Sequence, residues 1–224
     1  MIPWESLDSS EVPGDGGIIS LYKRGDEFSI RINNHELMNS RLHGSEDALA
    51  VLSCKRVAEH PGARVLIGGL GLGFTLAAAL RVLHADAFVE VAELVPAVIL
   101  WNQGPLAHIA DYPLEDRRVI IKTTDVALII RNQNNYFDAI LLDVDNGPEG
   151  LTHKNNNTLY SAAGLAEAYA ALRPGGILAV WSAGPDQAFA KRLGNAGFSV
   201  NEQKVHARSR GKGSRHIIWL ASRN

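Results

Sequence analysis

Hydrophobic positions along this chain follow two different periods. Residues 18–33 alternate loosely, with Ile19, Leu21, Phe28, Ile30 and Ile32 arranged around Arg24-Gly25-Asp26. Period-two alternation about turn residues predicts a small β-hairpin. From Ser45 the spacing becomes helical: Ser45-Glu46-Asp47 precede Ala48, Leu49, Val51, Leu52 and Val57. Ser45 is therefore the expected N-cap, with two acids in the first turn, and the helix should stop near His60-Pro61-Gly62. Beyond it, β-rich runs at 64–67, 88–91, 119–122, 137–142 and 177–181 alternate with helical runs at 74–83, 96–102, 125–131, 159–172 and 186–193. Val65-Leu66-Ile67, Ile140-Leu141-Leu142 and Ile177-Leu178-Ala179-Val180 are apolar without a break, as strands of a parallel sheet covered on both faces must be. Two last strand-like runs, 198–205 and 216–221, flank a glycine-containing turn at 210–213 with no helix between them, so they should pair antiparallel. The predicted class is α/β, a doubly wound seven-stranded sheet, mostly parallel with a C-terminal antiparallel hairpin, preceded by a small N-terminal β-hairpin. We divide the chain into an N-terminal hairpin extension over residues 1–44 and a main catalytic domain over 45–224.

Composition narrows this picture without changing it. With 224 residues, 46% hydrophobic and 21% charged, the chain can bury a large core without disulfides or metal. Its one cysteine, Cys54, reads as a small buried apolar residue. Sparse thiol usage, the lack of a basic-then-apolar leader after Met1, and the lack of any run of roughly 18 apolar residues point to a cytoplasmic protein outside the membrane. A formal net charge of -2 supplies no field to recruit nucleic acid or anionic lipid. The basic run from Lys204 to Arg215 is read as a solvated hairpin tip, since it holds no interleaved aromatic for base stacking. The scattered histidines and single thiol show no zinc-ligand spacing, and no Gly-x-Ser-x-Gly elbow appears.

Candidate chemistry gathers at strand ends. The run Val65-Leu66-Ile67-Gly68-Gly69-Leu70-Gly71-Leu72-Gly73 carries an apolar strand into a Gly-x-Gly-x-Gly turn before a helix. Gly69, Gly71 and Gly73 there would let a ligand approach main-chain amides near a helix N-terminus. The plainer reading is a tight turn. Glu93, at the end of the next strand, could accept from both hydroxyls of a ribose or be a solvated loop acid. Asp125 could cap its helix, accept the exocyclic amine of adenine, or do both. The fourth strand runs into Asp143-Val144-Asp145-Asn146-Gly147-Pro148. Asp143 and Asp145 would lie on one side there, placed for general-base work, unless the segment is an Asx-rich turn. His108 and His153 fall in expected loops near this edge, and Asn155-Asn156-Asn157 in a loop over it. Trp101 and Trp181 read as core or pocket wall.

Taken with Leu172-Arg173-Pro174-Gly175-Gly176-Ile177 and the closing hairpin, these motifs resemble the Rossmann-like class I S-adenosylmethionine-dependent methyltransferases over roughly residues 18–222. Within that superfamily the chain is similar to the spermidine synthase-like branch. The N-terminal hairpin, His43-Gly44-Ser45-Glu46, and the stretch from Asp143 to Gly150 with Leu159-Tyr160 beyond carry that similarity. The resemblance implies S-adenosylmethionine or its decarboxylated form as cofactor, Asp143 and Asp145 as catalytic acids, and Glu46, Asn146 and Tyr160 on the acceptor. It departs from the family at four places: Leu72 stands where spermidine synthases carry an amine-binding Asp. Asn146 replaces the second acid of the catalytic pair, or that acid has moved to Asp145, and Gly44-Ser45-Glu46 keeps only the Glu of a Tyr-His-Glu. Ile67 stands where typical methyltransferases carry an acid. Leu72 tips the expectation to methyl transfer onto a small amine or hydroxyl, with aminopropyl transfer as the alternative. A non-catalytic nucleoside-binding scaffold is the alternative of another class. A nicotinamide oxidoreductase shares the Gly-rich turn and acid but not the closing hairpin. The expected partner is a small-molecule substrate, with a homodimer left open and nucleic acid and membrane disfavoured.

Overall fold

A computed structural model describes residues 2–14, 17–144, 156–208 and 212–224. The N-terminal segment folds into an antiparallel sheet of four strands in the order β1 (Glu5–Glu11), β2 (Ile18–Arg24), β3 (Glu27–Ile32) and β4 (His35–Asn39). The expected hairpin is its β2–β3 core, closed by Gly25-Asp26 between the paired Arg24 and Glu27. The outer strands leave little trace in the hydrophobic pattern: β1 reads ESLDSSE and is almost wholly exposed. The β3–β4 turn is Asn33-Asn34, both at positive φ, the two-residue conformation that matches strand twist and that Asn tolerates.

The second sheet has seven strands in the order β10 (Ser199–Arg208), β11 (Lys212–Ser222), β9 (Leu172–Ser182), β8 (Phe137–Leu142), β5 (Arg64–Gly68), β6 (Phe88–Glu93) and β7 (Val119–Thr123). Strands β5 to β9 run parallel, and β11 and β10 join antiparallel. Alternation along the strands explains their unbroken apolar runs. Val65 and Ile67, Ala139 and Leu141, and Ile177 and Ala179 belong to one hydrophobic core. Leu66, Ile140, Leu142, Leu178 and Val180 belong to the other. Helices α1 (Gly44–Cys54), α2 (Phe74–Val82) and α3 (Pro96–Gln103) cover the first face. On the second lie α4 (Val126–Arg131), α5 (Asn156–Leu159), α6 (Ala162–Ala171) and α7 (Gln187–Asn195). The chain leaves β5 to one side for β6 and β7 and returns to its other side at β8. The carboxyl ends of β5 and β8 therefore flank the crevice where open α/β sheets bind ligands.

Two local expectations are corrected. Helix α1 starts at Gly44, so Ser45 lies inside the first turn and His43 holds the N-cap position without a side-chain cap bond. The His43 ring stacks on Phe74 at 4.1 Å and its Nδ1 meets Asp47 Oδ2 at 2.8 Å. These contacts stabilise a start two residues earlier and free the Ser45 hydroxyl. The helical run 159–172 is broken between α5 and α6, where Ser161 Oγ accepts from Gly164 N at 3.1 Å and opens a new helix. No helix among the described residues is long and apolar enough to cross a membrane.

Candidate active site

Each glycine of the turn answers a different demand. All three have positive φ, a region that costs other residues roughly 1–2 kcal/mol. A Cβ on Gly69 would lie 2.4 Å from the Asp143 carbonyl oxygen, so this glycine lets the β5 and β8 ends close together. A Cβ on Gly71 would project to 2.9 Å from Met38 Sδ, at the cavity wall. A Cβ on Gly73, the N-cap of α2, would meet Asn102 Oδ1 at 2.9 Å, and Gly73 is not among the residues that line the cavity. Asn102, buried on α3, donates to Gly71 O at 2.8 Å and Val98 O at 2.9 Å and so fastens the turn. Sequence reasoning passed over it, since a lone Asn in an apolar helix carries no motif.

A cavity of about 320 Å³ opens at this crevice. Gly69, Gly71, Glu93, Asp125 and Asp143 all line it, so five residues drawn from four strand ends, β5 to β8, converge. Glu93 is buried; its Oε2 accepts from Leu70 N and its Oε1 from Val95 N, both at 2.9 Å. Burial raises its pKa against the opposing pull of these amides. Asp125 caps α4, accepting from Ala127 N at 2.8 Å, while facing the same cavity. The opposite wall is the N-terminal sheet, through Ile19, Ile30, Ile32 and Met38. That wall was missed, although the period-two spacing of the three isoleucines already placed them on one face.

A second, narrower cavity of about 60 Å³ adjoins the first, and Met38, Gly71 and Asp143 line both. Glu46 from α1 and Asp143 from the end of β8 enter it, with Leu72, Phe74 and Trp181 as walls. Asp143 Oδ2 accepts from Thr75 Oγ1 at 2.6 Å. Glu46 Oε2 accepts from Ser45 Oγ at 2.7 Å. Burial, and then the charge of Asp143, push the Glu46 carboxyl up to about 7. Burial also raises Asp143, against the Thr75 hydrogen bond. Two neighbouring carboxyls in a narrow, buried pocket resist being ionised together.

Tyr160 is buried, edge-on to Phe189 at 5.6 Å, directly before the Ser161 N-cap of α6, and is not among the residues that line the two cavities. His108 packs edge-on to Phe28 at 5.7 Å, away from both linings. Trp101 is buried and donates from Nε1 to Asp8 Oδ2 at 2.7 Å. Asp145, Asn146, His153 and Asn155 lie outside the described residues. Among the described residues that line either cavity there are carboxylates but no Lys, Arg or His.

The architecture is a Rossmann-like α/β fold that matches the fold of solved spermidine synthases. Spermidine synthase from Thermotoga maritima superposes with a TM-score of 0.75 at 18% identity, covering 98% of this chain and 73% of that one. A spermidine synthase in complex with the transition state analogue AdoDATO gives 0.74 at 18% identity, covering 98% and 72%. A probable spermidine synthase from Corynebacterium glutamicum ATCC 13032 gives 0.64 at 16%, covering 97% and 79%. These likenesses are of fold. No family model matches the sequence, and no curated protein matches it.

Proposed function

We propose that the protein is an aminopropyltransferase-like enzyme that binds a sulfonium nucleoside without a terminal carboxylate and transfers its aminopropyl group to a small amine. The observation that carries this reading is the charge of the site. Glu46, Glu93, Asp125 and Asp143 line the two cavities, and no cationic side chain does so among the described residues. The methionine carboxylate of S-adenosylmethionine would meet like charges there with no ion-pair partner, a costly arrangement in a partly desolvated site. Decarboxylated S-adenosylmethionine brings only positive charge and an adenosine. The spermidine synthase fold supports the same reading. Leu72 is compatible with it, since the narrow cavity that Leu72 walls also holds Glu46 and Asp143. An ammonium beside it has carboxylates and the side chains of Phe74 and Trp181 within the same space.

The residues divide the work by position. Gly71 lets Met38 pack closely on the turn where the two cavities meet, Glu93 and Asp125 offer acceptors to ribose and adenine, and the N-terminal isoleucines exclude water. The sulfonium supplies an activated carbon whose bond to sulfur breaks as the amine attacks, so the protein provides alignment and a base rather than an acid. Glu46 and Asp143 hold the acceptor ammonium and remove its proton, leaving the nitrogen lone pair free.

The test is a thermal-shift and turnover panel with decarboxylated S-adenosylmethionine, S-adenosylmethionine, methylthioadenosine and small diamines. Decarboxylated S-adenosylmethionine should raise the melting temperature more than S-adenosylmethionine, and with a diamine it should yield methylthioadenosine. Preferential binding of S-adenosylmethionine with methyl transfer would overturn the reading. Binding of the nucleosides with no turnover would favour a scaffold.

A further inference from the structure

One chain of side chains leads out of the narrow cavity. Glu46 Oε2 accepts a hydrogen bond from Ser45 Oγ at 2.7 Å, and Ser45 Oγ lies 3.0 Å from Nδ1 of His216 on β11. Ser45 is buried, whereas His216 is half-buried, so the chain runs from the cavity through the protein toward solvent. The Trp181 ring, which walls the cavity, packs edge-on to the His216 ring at 4.7 Å. Sequence reasoning assigned neither Ser45 nor His216 a role in chemistry, and α1 and β11 meet only in the folded chain.

We propose that Glu46, Ser45 and His216 form a proton-exit relay for the acceptor site. The inference rests on the amine-acceptor reading above. Transfer to a protonated amine releases one proton per turnover: an ammonium must lose a proton to become a nucleophile, and the new carbon–nitrogen bond restores the positive charge on nitrogen while sulfur keeps the electron pair of the broken bond. Glu46 takes that proton directly. Ser45 and His216 act through Glu46 and are positioning residues.

The hydrogen-bond directions define two states. With Glu46 ionised, the Ser45 hydroxyl donates to it, so His216 must donate to Ser45 from Nδ1. With Glu46 protonated, Glu46 donates to Ser45, the Ser45 hydroxyl turns to donate to His216 Nδ1, and the imidazole proton sits on Nε2. Passage from the second state to the first moves the Glu46 proton to Ser45 and the Ser45 proton to His216 Nδ1 while the Nε2 proton leaves to water, so one proton exits the cavity. The imidazole then returns to its Nε2–H tautomer, with no net proton change, before Glu46 is loaded again. The Glu46 carboxyl is raised to about 7 and burial lowers His216, so a neutral imidazole faces a Glu46 that titrates near neutrality. The charged groups facing Glu46 are Asp143 from the end of β8 and His43 at the head of α1. Around His216 stand Trp181 on β9 and Val205 opposite on β10, flanked by Lys204 and His206, with Arg215 on its own strand.

The test reads the His216 tautomer by nitrogen NMR of the ligand-free full chain, from about pH 6 to about pH 8.5. The signal is assigned by its loss in His216→Gln. The Nε2–H form should give way to the Nδ1–H form with a midpoint near that of Glu46, and Ser45→Ala should abolish this change. A tautomer that stays constant with pH, or a change that survives Ser45→Ala, overturns the relay. In turnover with decarboxylated S-adenosylmethionine and a diamine, His216→Ala should lower kcat about tenfold at unchanged KM, with imidazole in the medium restoring it. A His216→Ala enzyme with normal kcat also overturns the relay. An intact tautomer change in a chain without transfer activity would instead overturn the proposed function and leave the proton path in place.

Discussion

Glu46 and Asp143 bring two acids into one narrow, buried pocket, and the consequence appears in the pH dependence of stability. The folded chain holds the Glu46 proton more tightly than the unfolded chain, whose value is near 4.5, against about 7 when folded. Below the unfolded value this group leaves folding unaffected by pH; as pH rises to about 7 the unfolded chain ionises first and stability falls. Glu46→Gln should remove that loss, stabilising the protein by up to about 3 kcal/mol at pH 8 and much less at pH 5. Urea unfolding of both proteins at the two pH values measures it. The proposed site gives Glu93 two duties at once. Because its carboxylate accepts from Leu70 N and Val95 N, Glu93→Ala should weaken methylthioadenosine binding by about 1.5–3 kcal/mol and also lower the melting temperature. Calorimetry that finds normal affinity in a destabilised variant would assign Glu93 to the turn alone.

The turn between β5 and α2 shows how one motif serves several contacts. Gly69→Ala puts a Cβ against the backbone of Asp143, which has no freedom to retreat, so it should destabilise the fold strongly. Gly71→Ala meets the end of the flexible Met38 side chain. It should cost about 1 kcal/mol of stability from its positive φ yet weaken nucleoside binding by more than that. Thermal unfolding and calorimetry on the pair separate the two effects; equal losses of binding and stability in both variants would refute the distinction. At this scale most of the second sheet was legible, because period-two and helical spacing are properties of neighbouring residues. Strand β1 was not, since its pairing rests on main-chain hydrogen bonds and needs no apolar alternation. The start of α1 and the break before α6 were set by contacts of His43 and Ser161.

Across the whole molecule, the carboxylates of the two cavities sum to a negative field in a protein of net charge -2. Association of a cationic donor should therefore slow as salt rises, while that of methylthioadenosine, which lacks the charge, should not. Stopped-flow rates at low and physiological salt compare the two; parallel slopes would argue against an electrostatically tuned site. The same summation marks the limit of sequence reasoning. Glu93, Asp125 and Asp143 were found as acids at strand ends, because in a parallel α/β sheet the carboxyl ends of the strands share one edge whatever the details. The sequence by itself determined that sheet, its closing hairpin and this edge, since each follows from short-range periodicity and the connection rules of βα units. Only the tertiary structure decided that the N-terminal sheet walls the larger cavity, that Glu46 faces Asp143 in the narrow one, and that Ser45 meets His216 across the fold. Those contacts join residues far apart along the chain, and their distances depend on how whole elements pack, which no local spacing encodes.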